Sequence, residues 1–117
     1  AYLAWRTSFA PLHYRLLLAS PDDPAEGGLV FRLRRRGSAM EAAVVEQLVP
    51  DRRTGNALVR RMLTMTGADY AIGLRSGPSA GLLPLPGQGP LLTTRPLAAS
   101  PPSPRDWTLT LGDVELF

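Results

Sequence analysis

The stretch best equipped for chemistry is Val49-Pro50-Asp51-Arg52-Arg53-Thr54-Gly55-Asn56-Ala57. A glycine-containing loop that leads from a strand into a helix presents unpaired backbone N–H groups at the positive end of the helix dipole, and together these hold an anion such as pyrophosphate. Arg52 and Arg53 add positive charge beside that cup. A second basic group, Arg32, Arg34, Arg35 and Arg36, has the charge to contact phosphates. No aromatic side chain interleaves with these four as a stacking platform requires, so they read first as a solvated strand face. Asp113 and Glu115 form a carboxylate pair that reads as solvent-facing, and Trp5 and Trp107 read as core or interface anchors.

The inventory argues against several other chemistries. With no Cys and a single His, His13, the chain lacks the parts for disulfides, a cysteine nucleophile or a thiolate metal site, and a His-based zinc site or a serine–histidine relay is not expected. All 13 basic residues are arginine and there is no lysine. With Ala, Leu, Pro and Gly plentiful, this is the pattern of a GC-rich genome and points to a bacterial source. The formal charge of +3 is small for a nucleic-acid binder, so nucleic acid is not the expected partner. No apolar run approaches the roughly 20 residues needed to span a bilayer, and a cytoplasmic protein without membrane contact is expected.

The elements that must position these residues follow from periodicity. The length of 117 residues allows one domain or part of one, and 12 prolines and 11 glycines imply short elements with much loop. Tyr2, Leu3, Trp5 and Phe9 crowd an opening segment that needs a surface to cover, either a neighbouring domain or a second copy of the chain. A strand is expected over His13–Ser20. Leu29–Arg36 alternates, with Phe31 and Leu33 on one face and Arg32, Arg34 and Arg36 on the other.

Met40–Val49 is apolar on both faces, as a central strand covered on two sides should be, with Ala43, Val45, Gln47 and Val49 against Ala42, Val44, Glu46 and Leu48. A helix over 56–66 follows, with Leu58, Met62 and Met65 at helical spacing and Gly67 at its C′ position. Asp69–Arg75 resumes as a strand, so strand, helix and strand imply a parallel pair at the sheet centre. Further strands are expected over 91–97 and Trp107–Leu111, separated by a Pro/Ser-rich loop over 98–104. A bulge is expected at Gly112, before a last strand over 114–117.

At the strand-to-helix junction the sequence resembles the GNAT acetyltransferase family. Its acyl-CoA loop reads Gln or Arg, two residues, Gly, one residue, Gly or Ala, and Arg52, Gly55 and Ala57 fit that pattern in register. Val49 and Pro50 before the loop are also of the family type, and the order of strand, helix and strand agrees. The resemblance covers the chain from about Tyr14 onward, with nothing matching the helices that precede the second strand in the family. The 117 residues therefore read as one GNAT-like domain, the C-terminal portion of a larger protein.

The resemblance implies an α/β fold with a mixed, mostly antiparallel sheet and a central parallel strand–helix–strand unit. It implies transfer of an acetyl group from acetyl-CoA, bound as co-substrate, to an amine. The pantetheine arm would lie between Met40–Val49 and Asp69–Arg75, and the pyrophosphate would meet the amides of Thr54, Gly55, Asn56 and Ala57, with Arg52 and Arg53 beside it. An acyl transfer needs a base for the amine and a donor for the oxyanion; Glu46 is the base candidate and the Leu48 amide the oxyanion candidate. Family catalysts carry a helix with a proton-donating tyrosine after the next strand. The stretch 76–90 has neither, which makes a non-catalytic GNAT-like interaction or regulatory domain the alternative. A small nucleic-acid-binding module using Arg32–Arg36 is the third reading.

Overall fold

The structure is a computed structural model, and it describes residues 2–74, 83–85, 87, 97, 100, 102–103 and 106–113. Helix α1 (Tyr2–Thr7) is followed by strand β1 (Arg15–Leu18), a hairpin of β2 (Gly28–Arg36) and β3 (Ala39–Leu48), the long helix α2 (Arg52–Thr66) and strand β4 (Tyr70–Gly73). The four strands form one mixed sheet in the order β1-β2-β3-β4. The first two pairings are antiparallel and β3–β4 is parallel. The α/β class and the strand–helix–strand unit agree with the sequence. Among the described residues, however, the parallel pair lies at the sheet edge, because no strand flanks β4 on its other side.

The alternation in β2 does what its pattern requires. Leu29 and Phe31 enter the core and Leu33 packs against it, where they meet Leu17 of β1, Ala42 of β3, and Leu58 and Met62 of α2. Gly37, at φ 61, opens the two-residue β2–β3 turn at the position where a primed hairpin turn needs positive φ. The helix starts at Arg52, four residues before the expected Asn56, because Asp51 caps it: the Asp51 carboxylate accepts from the Thr54 amide at 2.8 Å. Gly67 closes it in the left-handed region with its amide on the Leu63 carbonyl.

This earlier start adds Gly55 to the buried stripe of Leu58 and Met62, backed by Val59 and Leu63. Met65 is 65% exposed rather than in the core.

In β3 the simple alternation fails. Val30 pairs with Glu46 and Phe31 with Val44, so Val45 is an extra residue, a β-bulge. Ala42 and Val44 therefore face the helix with Val49, while Val45 and Glu46 turn toward Gly112 on the opposite face. Two expected pairings of faces are thus corrected, Val45 with Val49 and Val44 with Glu46.

Three other expectations change. The first strand is shorter than 13–20, since His13 ends a short turn of helix at φ 48. The segment Trp107–Leu111 alternates but forms no strand. It is anchored instead by the Gly112 amide on the Val45 carbonyl at 3.1 Å, and Gly112 lies in a turn rather than a bulge. Arg32 is not a solvated residue but is 9% exposed. The strand over 91–97 and the loop over 98–104 fall mostly outside the described residues, and 114–117, including Glu115, wholly so.

Candidate functional site

The bulge and the short fourth strand together make a gap. Parallel pairing runs from Glu41↔Tyr70 to Val44↔Gly73 and stops there, while β3 continues to Leu48. Beside the end of this ladder lies a cavity of about 340 Å³. Its β3 side is Val44, Val45, Gln47 and Val49, and its β4 side is Ala71, Ile72, Gly73 and Leu74. Val59 of the helix and the segment Thr108–Thr110 complete the wall, and Asp51 and Arg52 stand at the helix end of it. A largely aliphatic slot with charge at one end suits a ligand that is itself apolar along its arm and ionic at its head.

The residues singled out at the helix start are placed as follows. Arg52, Arg53 and Thr54 form the first turn, Gly55 is buried, and Asn56 and Ala57 continue the helix. The amides expected to receive a pyrophosphate are engaged. Thr54 N–H goes to the Asp51 carboxylate and Gly55 N–H to the Asp51 carbonyl at 3.2 Å, and those of Asn56 and Ala57 fall where helical pairing takes them. The Thr54 hydroxyl also lies 3.1 Å from Asp51 Oδ2. The backbone bond from Thr54 holds the Asp51 carboxyl below its ordinary range, with smaller contributions from the Thr54 hydroxyl and from Arg53.

Gly55 has a packing role here. A Cβ built on it would run into the side chain of Gln47, the β3 residue beneath it. The helix start thus approaches the strand as closely as a glycine permits.

Glu46 lies behind the wall formed by Thr110. It is 8% exposed, and its Oε1 accepts from the Thr110 hydroxyl at 2.9 Å. The same hydroxyl lies 3.0 Å from Asp113 Oδ2, which also accepts from the Thr110 amide at 2.8 Å. Leu48, the oxyanion candidate, ends β3 opposite Gly28, is 50% exposed and does not line the cavity. Val45 does line it, and as the extra residue of the bulge it falls outside the β2 ladder. Sequence reasoning missed Val45, Thr110 and the contact of Asp113. Only the Thr110-x-x-Asp113 spacing, which allows a side chain to turn back on a nearby amide, signals any of them.

The arginine group divides. Arg34 Nε donates to Glu41 Oε1, Arg36 Nε lies 3.8 Å from the same oxygen, and the Tyr70 hydroxyl donates to Glu41 Oε2 at 3.0 Å. Burial pushes the Arg32 guanidinium below its ordinary range, aided by Arg34 and opposed by Glu41. Burial and the bond to Glu41 raise the Tyr70 phenol. Arg34 and Arg36 thus pair with Glu41 on the sheet face where Arg32 is buried, while Arg35 is exposed. No helix among the described residues is long and apolar enough to cross a membrane. Compared with models of known protein families, with curated proteins and with solved structures, the chain gives no match.

Proposed function

We propose that the chain is part of a GNAT-like acyltransferase that binds acetyl-CoA or another acyl-CoA and passes the acyl group to an amine. The observation that carries this reading is the largely aliphatic cavity beside the end of the parallel ladder at Val44↔Gly73, next to a bulge and at the start of a helix. In this reading the pantetheine arm lies in the gap against Val44, Ala71 and Gly73. The diphosphate is held outside the helix start by the side chains of Arg52 and Arg53, where Asp51 must yield to it. The Val45 amide, on the bulge residue that lines the cavity, takes the oxyanion role in place of the Leu48 amide. Glu46 serves as the base that takes the amine proton.

Gly73 provides a clean test. Its position is exposed, its φ lies outside the left-handed region, and among the described residues an added Cβ would meet only Val44 Cβ and Val44 O at 3.7 and 3.8 Å, ordinary contact distances. Gly73→Phe therefore projects a ring at the gap without straining the backbone. Calorimetric titration with acetyl-CoA should show saturable binding to the wild type and at least about tenfold weaker binding to Gly73→Phe, a loss of about 1.4 kcal/mol, with the unfolding midpoint retained. Absence of heat at millimolar acetyl-CoA in the wild type refutes acyl-CoA binding. Undiminished binding to Gly73→Phe refutes its placement in the gap.

A further inference from the structure

Thr110 stands between two carboxylates that differ sharply in exposure. Its Oγ1 is 2.9 Å from Oε1 of buried Glu46 and 3.0 Å from Oδ2 of exposed Asp113. A hydroxyl has one proton to give and lone pairs to receive with. With both carboxylates ionised, that proton serves one of them at a time. With a proton on Glu46, both contacts become hydrogen bonds in one direction, from Glu46 to Thr110 and from Thr110 to Asp113. The backbone fixes this geometry from two sides, since the Thr110 amide is held by Asp113 Oδ2 and the Gly112 amide by the Val45 carbonyl.

We propose that Glu46, Thr110 and Asp113 form a proton relay that connects the buried carboxylate beside the cavity to solvent. The proton relayed is the one Glu46 takes from the amine, so its use in turnover rests on the acyltransferase reading, although the relay itself does not. In the step, the Glu46 O–H bond breaks as its proton joins Thr110 Oγ1, and the original Oγ1–H bond breaks as that proton joins Asp113 Oδ2. Glu46 returns to carboxylate, Thr110 is unchanged, and the Asp113 carboxyl loses its proton to water. Thr110 and Asp113 act through Glu46 and are positioning residues.

Among the described residues, the other charged groups on this face of the sheet are Arg32, Arg34 and Arg36 of β2 and Glu41 of β3, with Tyr70 of β4 bonded to Glu41. On the 106–113 segment, Asp113 is the group bonded to Thr110.

The test follows the side-chain carboxyl carbons of Glu46 and Asp113 by carbon-13 NMR in the whole chain at one fixed pH, where a hydroxyl bonded to both carboxylates contributes to both resonances. Thr110→Val, which keeps the shape and removes the hydroxyl, should move both resonances, and Thr110→Ser should return both. A carboxyl resonance that Thr110→Val leaves in place, or that Thr110→Ser fails to return, overturns the relay. Acetyl-CoA titration of the wild type is read separately, so an absence of ligand binding sinks the acyltransferase reading while the NMR result still decides the relay.

Discussion

Gly55→Ala distinguishes two reasons for a glycine at the start of α2. If the glycine is there only to leave an anion-binding loop open, alanine should stabilise the helix, because glycine costs about 1 kcal/mol relative to alanine in a helix interior. The structure predicts otherwise. The new methyl would fall on Gln47 Nε2 and come within 3.0 Å of Gln47 Cδ and 3.3 Å of Val49 Cγ2. Gln47 would have to swing away, and overpacking of this kind costs about 1 to 3 kcal/mol. Taking about 2 as the central value, Gly55→Ala alone should lower stability by about 1 kcal/mol, the overpacking less the helix gain. In a Gln47→Ala background the obstacle is gone, and the same substitution should raise stability by about 1 kcal/mol.

The coupling between the two sites is therefore about 2 kcal/mol, well above the few tenths found for independent sites. Urea unfolding of the four proteins in the cycle measures it. A Gly55→Ala protein that gains its full helix-propensity increment, with coupling below about 0.5 kcal/mol, refutes the packing argument.

Met62 is 0% exposed at the centre of the helix–sheet contact, so Met62→Ala should cost about 2 to 5 kcal/mol, and chemical denaturation measures it. Gly27→Ala combines φ 112 with a Cβ 2.7 Å from the Leu48 carbonyl and 3.1 Å from Val49 Cα. Both obstacles are backbone, so its midpoint should fall further than that of Gly55→Ala, whose obstacle is mainly a side chain. The Asp51 carboxyl titrates below its ordinary value of 3.8 in the fold, so its contribution is complete above that pH and lost as pH falls through the lower folded value. Asp51→Asn, an uncharged cap, should lose this part of the acid dependence, and acid unfolding of the pair measures the difference. The same variant removes the anion at the helix start, so acetyl-CoA should bind it more tightly than the wild type, as read by calorimetry.

Much of the scaffold was legible because it follows local rules. The period-2 run of β2 placed Leu29, Phe31 and Leu33 on the helix face, and Gly67 ended the helix where its missing Cβ allows. The helix start was misplaced because Thr54 and Gly55 look like loop residues. The signal was present in Asp51 and Thr54, three residues apart, the separation at which a cap reaches an amide.

The bulge left no such mark. Ala43, Val44 and Val45 are all small or aliphatic, so either face accepts any of them, and only the pairing of β2 with β3 decides which is extra. Trp107–Leu111 shows the converse. Its alternation is strand-like, yet the backbone bond that ties this stretch to β3 comes from the Gly112 amide that follows it, and a pattern cannot supply a partner strand.

The position of the gap follows from two unequal lengths and one inserted residue. β3 has ten residues and β4 four, so the parallel ladder ends while β3 still has β2 to hold it. A bare strand edge at that point would leave backbone groups unpaired beside the helix. The bulge falls at the next residue, Val45, and local twist at a bulge turns the strand away from its neighbour. The Val45 carbonyl accepts from the Gly112 amide, which brings Thr110 to the wall and sets its hydroxyl on Glu46. One extra residue thus turns Val45 to the slot and Glu46 to the Thr110 hydroxyl. Substitutions that only resize the slot should therefore act on ligand binding, whereas removal of the bulge would disconnect Glu46 from Thr110 as well.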